Sequence, residues 1–346
     1  MSQIGKYAFA NAKIRAMRSF LIDEGAFSRL FESADIHEVM EALKKTPYKD
    51  LVEHRGGKEI DLVSLEKELL KNDVHIYRKV RDALSSKKEK DFVSLLIQRY
   101  ELDEVKVALR LWAKKIPADI DDYLLGEKVS FDIDFKKIVR AGTVEEAILL
   151  LDHTPYKVPL LKVRDKFKER NSSFYLEAAL DFDYYQRLAL SLYDFSSADR
   201  AVASKILGVE IDIENISWLI RLRKYYNLGI GEMLELFIPG GMRIKKDAVR
   251  SFYVTDGLTK VVDSIALGPY AKLKDLIESN IYLIENFLYE VLLHEVKRAL
   301  AGFPFTIGAI MGYLILKRKE TESIISLLYA KSFGWKKESI TPLMGM

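Results

Sequence analysis

The residues best suited to site chemistry are few, and none of them converge in sequence. Histidines stand singly at 37, 54, 75, 153 and 294. His37-Glu38 begins like a metalloprotease helix but lacks the second histidine at i+4 that would complete a zinc pair. Gly56-Gly57-Lys58 ends like a phosphate loop, without the following Ser/Thr or the earlier glycine, and reads as a turn. Pro239-Gly240-Gly241 is loop punctuation. No G-x-S-x-G positions a serine nucleophile. The carboxylate pairs Asp121-Asp122 and Glu145-Glu146 fall in a loop and at a helix start, where solvated charge explains them. With no cysteine, neither a disulfide framework nor a thiolate metal site is available. The expectation is a protein without catalytic residues, cofactor-binding residues or metal ligands, and hence not an enzyme.

What the chain does carry is repetition. Thr143 to Tyr156, TVEEAILLLDHTPY, is a helix-and-stop unit. Thr143 caps, Glu146 has capping-box spacing, and Val144, Ala147, Ile148 and Leu151 form one apolar stripe. Pro155 then ends the helix. The unit recurs as Asp35 to Tyr48 and as Gly257 to Tyr270, with caps at Asp35 and Gly257. Their stripes are Ile36, Val39, Met40, Leu43 and Leu258, Val261, Val262, Ile265. Pro47, Pro155 and Pro269, each followed by Tyr48, Tyr156 or Tyr270, stand at nearly equal intervals. The three tyrosines are expected to pack beneath their turns as structural residues.

A second landmark keeps the same period. Glu101, Asp212 and Glu320 each open an apolar-basic segment, again at nearly equal intervals. A repeat of roughly 110 residues is too long for a solenoid unit and has the size of a domain. The chain therefore reads as three homologous helical modules, 1–116, 117–228 and 229–346. Arg110 and Arg221 fall at equivalent places, with Arg223 and Lys224 beside the latter and Lys331 in the related third segment. These five cations are the candidate partner contacts, weighed against an ordinary solvated helix face.

Composition fits this reading. Of the residues, 49% are hydrophobic, enough for sizeable cores, and Lys+Arg 54 against Asp+Glu 51 is too balanced for a nucleic-acid binder. No secretory signal is expected from the N-terminus. The most apolar run, Phe303 to Leu316, is clearly shorter than the roughly 20 residues a membrane helix needs. It is expected to be a buried helix starting at Pro304, in a chain soluble by itself. The first helix has Tyr7, Ala10, Ile14, Met17 and Leu21 on one side and Lys13, Arg15 and Arg18 on its polar side. Leu62–Leu84 is helical, Ser85–Asp91 a charged loop, and Phe92–Lys115 one or two further helices. Gly208 is expected to stop a helix before the Asp212 segment, and Asn280–Leu300 to form a long helix. No period-two alternation survives, so the class is all-α.

Several of these stretches together resemble a known family. They are YAFANAKIRAM from Tyr7, the T-P-Y units, NISWLIRLRKYY from Asn215, the Gly240-Gly241 loop, and Pro304 to Glu320. Jointly they resemble the C subunit of the archaeal and bacterial A/V-type ATP synthase, the relative of the d subunit of eukaryotic V-ATPase. The resemblance covers essentially the whole chain. Lys13, where the family often has arginine, and Ser323, where it commonly has asparagine, are departures. The resemblance implies three helical bundles around a funnel-like opening and a non-catalytic rotor subunit. Its implied partners are the D and F subunits of the central stalk and the membrane ring of proteolipid subunits. Its implied place is the cytoplasmic face of the membrane, as a peripheral subunit that is a monomer when isolated. A generic helical scaffold without a motor role is the alternative reading.

Overall fold

The computed structural model describes residues 3–53, 60–117, 119–225, 229–247, 249–250, 266–276, 281–335 and 340. Among them there is no strand; the fold is all-α. His54, the Gly56-Gly57-Lys58 turn, the Gly257 cap and the stripe Leu258, Val261, Val262, Ile265 lie outside the described residues.

The chain divides into two compact units. One comprises residues 63–191 and the other residues 1–62 with 192–346, so both chain ends belong to the same unit. The continuous unit contains α5 (Leu62–Asp82), α6 (Lys87–Lys114), α7 (Phe135–Arg140), α8 (Val144–Leu149), α9 (Lys157–Arg170) and α10 (Phe174–Ser191). α10 packs on α6 and α9, and α7 on α6 and α8. Two cations from α6, Arg99 and Lys106, converge on the buried Asp181 of α10 at 3.4 and 3.0 Å. Asp103, one turn on from Arg99, pairs with the same two cations at 3.5 and 3.3 Å.

The other unit contains α1 (Gln3–Arg18), α2 (Glu24–Glu32), α3 (Ile36–Leu43), α4 (Lys49–Val52), α11 (Ser197–Tyr225), α12 (Ile230–Leu236), α13 (Leu273–Leu276), α14 (Ile281–Ala301) and α15 (Ile307–Ser332). α11, α14 and α15 pack on one another, while α1 and α3 lie on α15. Tyr7, Ala10 and Ile14, three or four residues apart, are the buried face of α1.

Three long helices organise these units: α6, α11 and α15, of 28, 29 and 26 residues. Each begins after a hydroxyl residue, at Ser86, Ser196 and Thr306. Ser196 Oγ accepts from the Asp199 amide at 3.2 Å and Thr306 Oγ1 from the Ala309 amide at 3.2 Å. Three sequence-based expectations are corrected here. Ser85–Asp91 is not a loop: Lys87 and Lys88 are solvated residues of the first turn of α6, where Glu89 is buried and accepts from the Ser86 hydroxyl, and the helix continues unbroken to Lys114. Gly208 does not stop a helix. Its missing side chain admits the 239–244 loop, whose Met242 amide donates to the Gly208 carbonyl at 3.0 Å; an added Cβ would lie 3.1 Å from that nitrogen. The Pro304 helix begins instead at Ile307, where Thr306 caps it and Asp199 of α11 accepts the Ile307 amide at 2.8 Å.

The helix-and-stop units form as their sequences dictate. Asp35 caps α3 through the Glu38 amide at 3.0 Å, and Thr143 caps α8 through the Glu146 amide at 3.2 Å. Val39, Met40 and Leu43 are buried, as are Val144, Ala147, Ile148 and Leu151. Thr46 and Thr154 then fold the T-P-Y turns identically. Each hydroxyl donates to a carbonyl three residues back at 2.7 Å and accepts the tyrosine amide at 3.2 Å.

Candidate functional site: three tyrosine–carboxylate ties

Tyr48, Tyr156 and Tyr270 are buried to within 2% of full exclusion, and a buried phenol requires a hydrogen-bond partner. In all three cases the partner is the acid of the second sequence landmark. Tyr156 Oη donates to Glu101 Oε1 at 2.9 Å, Tyr270 Oη to Asp212 Oδ2 at 2.8 Å, and Tyr48 Oη to Glu320 Oε1 at 2.6 Å. The acids sit in the middle of α6, α11 and α15, not at helix starts.

Each acid also accepts backbone amides from a loop. Glu101 Oε2 takes those of Ser130 and Phe131 at 2.8 and 2.7 Å. Asp212 takes those of Arg243 and Ile244 at 2.7 and 2.9 Å. Glu320 Oε2 takes that of Ile22 at 2.6 Å. In all three ties these amides precede the tyrosine by nearly the same length of chain. One carboxylate thus fastens a loop and a Pro-Tyr turn to the waist of a long helix. Gly241 serves the second of these loops by closeness: a Cβ there would collide with the Asp212 carboxylate.

The ties differ in charge. Burial pushes the Glu101 carboxyl above its usual value against the lowering pull of its three hydrogen bonds. Asp212 is likewise pushed up by burial, to about 6. Burial and the facing carboxylates raise the phenols of Tyr156 and Tyr270, which therefore act as donors. Glu104, one turn beyond Glu101, is raised by burial to about 7 and accepts the Leu125 amide at 2.6 Å. The Glu320 tie contains a buried ammonium: Lys317 donates to Tyr48 Oη, lies 3.2 Å from Glu320 and stands 4.2 Å over the Tyr48 ring.

Sequence inspection finds both landmarks but not that they meet. The acid-to-tyrosine separations of 55 and 58 residues in two ties carry that information. The loop amides carry no side-chain signal at all. Partners also belong to different thirds of the chain, because 116/117 falls between Glu101 and Tyr156 and 228/229 between Asp212 and Tyr270. Tyr48 and Glu320 are 272 residues apart. Pro47 and Pro269 are exposed and Pro155 half-buried at the turns above these tyrosines.

The candidate contact cations are not grouped alike. Arg110 forms an ion pair with Glu177 of α10 at 2.5 Å. Lys331 is buried and donates to the Ser33 carbonyl. Arg221, Arg223 and Lys224 lie in α11, with side chains outside what the structure describes. Among the described residues, no group of three or more His, Asp or Glu is placed to hold a metal. A groove of about 400 Å³ beside α2 and α3 mixes Arg29 and Lys45 with Asp35, Glu38 and Glu41. None of these is a nucleophile paired with a base. No described helix is long and apolar enough to cross a membrane.

The family model of the ATP synthase (C/AC39) subunit matches residues 10–343. The chain belongs to this family. It is 23% identical to the C subunit of the A-type ATP synthase of Thermococcus onnurineus, over 98% of this chain and 90% of that protein. Identity is 26% to the corresponding protein of Methanosarcina acetivorans, covering 92% and 87%, and 24% to that of Archaeoglobus fulgidus, covering 96% and 94%. The three ties fall within the residues matched to the C/AC39 model, so their geometry belongs to the family-like part of the chain.

Proposed function

We propose that this chain is a non-catalytic coupling subunit of an A-type ATP synthase. It seats the central stalk on the membrane rotor ring and transmits torque for ion transport coupled to ATP synthesis or hydrolysis. The observation that carries the reading is the family match across residues 10–343, with relatives named as the C subunit of the A-type enzyme along nearly their whole length. The ties support it physically. A torque-bearing part needs helices whose loops do not slide, and each long helix here is fastened at mid-length by a carboxylate, buried at Glu101 and Asp212 and half-buried at Glu320. The partners are the D and F subunits of the stalk on one side and the proteolipid ring on the other, at the cytoplasmic face of the membrane.

The chain is organised in three modules with the period of the two sequence landmarks. The ties favour modules that run from a long helix to the tyrosine closing on it, rather than the thirds 1–116, 117–228 and 229–346. One module then lies within 63–191, a second runs from α11 to Tyr270, and the third joins α15 to residues 1–48. Arg110 and Lys331 are engaged within their own units, so charge contact with the stalk falls to Arg221, Arg223 and Lys224. The test is binding of the purified chain to a D–F complex and, separately, to the detergent-solubilised ring. Binding to both is expected; binding to neither leaves a generic helical scaffold.

A further inference from the structure

α6 and α11 each hold a loop at a second point, three residues beyond the tie acid. On α11 that position is the buried Asn215. Its Oδ1 accepts the Ile238 amide at 3.0 Å while its Nδ2 donates to the Ile238 carbonyl at 2.9 Å. One side chain thus satisfies both backbone groups of one loop residue. On α6 the position is Glu104, also buried, whose Oε1 accepts the Leu125 amide at 2.6 Å. The two loops are in register. Leu125 stands five residues before Ser130, and Ile238 five before Arg243, the first amides taken by Glu101 and Asp212.

The two side chains differ in what they can donate. A primary amide is donor and acceptor at every pH, whereas a carboxyl is both only while it carries its proton. Glu104 can therefore reproduce the grip of Asn215 in its neutral form alone. Its surroundings favour that form. The strongest charges acting on it are acids, Glu101 and Asp103 on α6 and Glu127 in the loop. Neighbouring cations are engaged elsewhere. Arg78 of α5 is held by Glu127 and by the Lys128 and Val129 carbonyls. Lys67 of α5 and Lys136 of α7 are held at Asp121, while Lys137 and Arg140 act on Asp134. Arg99 and Lys106 pair with Asp103 and with Asp181 of α10, and Lys128 acts on Glu101. Burial, the largest cause, sets the Glu104 carboxyl at about 7.

We propose that Glu104 is a proton-operated clamp, which when protonated holds its loop at Leu125 as Asn215 holds the other at Ile238, and releases it on ionising. The proton passes to solvent, the Leu125 carbonyl loses its donor, and the carboxylate gains water as the loop lifts. Lys67 keeps the Asp121 carbonyl and Arg78 the Lys128 and Val129 carbonyls, so the movement is confined to the stretch between them. One of two equivalent loops thereby responds to pH. The inference is independent of the coupling-subunit reading.

The experiment is amide hydrogen exchange of the full chain at pH 6 and pH 8.5, for wild type and Glu104→Gln. Protection is taken relative to the intrinsic exchange rate at each pH. In wild type, Leu125 should lose about tenfold in protection, the change that a carboxyl titrating near neutrality imposes over that interval. Ile238 should change by no more than about twofold, through its neighbour Asp212. Glu104→Gln keeps a donor and an acceptor at every pH, so Leu125 should be equally protected at both. Flat protection of Leu125 in wild type, or the same fall in Glu104→Gln, overturns the proposal. Carbon-13 NMR of the Glu104 carboxyl gives a readout that needs no variant. It should titrate near neutrality in step with the loss at Leu125, and a carboxyl already ionised at pH 6 would overturn the clamp.

Discussion

The Glu101 and Glu320 ties make the same connections by different electrostatics. In the unit of residues 63–191, Glu101 is held by hydrogen bonds from one phenol and two loop amides. In the unit that holds the chain ends, Glu320 has one phenol, one amide and the ammonium of Lys317. The first tie closes a loop of 55 residues and the second one of 272. On the logarithmic law for loop closure, the longer loop costs about 1.4 kcal/mol more. The fastening that must close the longer loop is thus the one with a full opposite charge. What recurs is the geometry; the charge balance is local.

The largest expected effect follows from deleting a ring. Tyr156→Ala removes a buried aromatic and leaves Glu101 without its phenol, so stability should fall by about 3–5 kcal/mol in urea denaturation. Tyr48→Ala should cost more, because it also removes the ring and hydroxyl that face the Lys317 ammonium. Equal or smaller loss at Tyr48 would show that the charge adds nothing.

Next comes the cation itself. Lys317→Met removes the buried ammonium paired with the half-buried Glu320, leaving that carboxylate only its phenol and amide donors, and should cost about 3 kcal/mol. Adding Glu320→Gln should recover part of that loss. A double variant as unstable as the sum of the singles would remove the pair from the account.

A pH series separates the ties further. Glu104, held up at about 7, and Asp212, at about 6, bind protons in the folded chain where the unfolded chain has released them. Their contributions are complete below the ordinary carboxylate range and are lost as pH rises through 6 and 7. Wild type should be less stable at pH 8 than at pH 5.5. Glu104→Gln should flatten that interval by on the order of 2 kcal/mol. Stability that rises over the interval would contradict the assignment. The smallest effect is expected at Arg110→Ala, a half-exposed pair with Glu177 worth about 0–1 kcal/mol.

Local signals are legible in the sequence where a side chain causes them. Asp35 and Thr143 cap where their spacing places them, the stripes of α3 and α8 are buried, and the T-P-Y turns close as proline requires. Boundaries fail where the cause lies elsewhere in the fold. Gly208 reads as a stop because its partner, the Met242 amide, lies far along the chain, beyond α12. The lysines after Ser86 read as a loop because a solvated first turn resembles one. The site is half-legible: both landmarks carry side chains and a period, whereas Ile22, Ser130, Phe131, Arg243 and Ile244 contribute only backbone N–H groups. Lys317 gives no signal for a different reason, as a buried lysine resembles a solvated one until its neighbours are known.

The most direct test of the ties is hydrogen exchange at those loop amides. In the wild-type chain the amides of Ile22, Ser130, Phe131, Arg243 and Ile244 should exchange slowly despite lying outside helices, since each donates to the carboxylate of a tie. Glu101→Ala should release Ser130 and Phe131 while Arg243 and Ile244 stay protected, and Asp212→Ala should do the reverse. Fast exchange at all five in the wild type, or loss of protection at every loop from a single substitution, would contradict three separate ties.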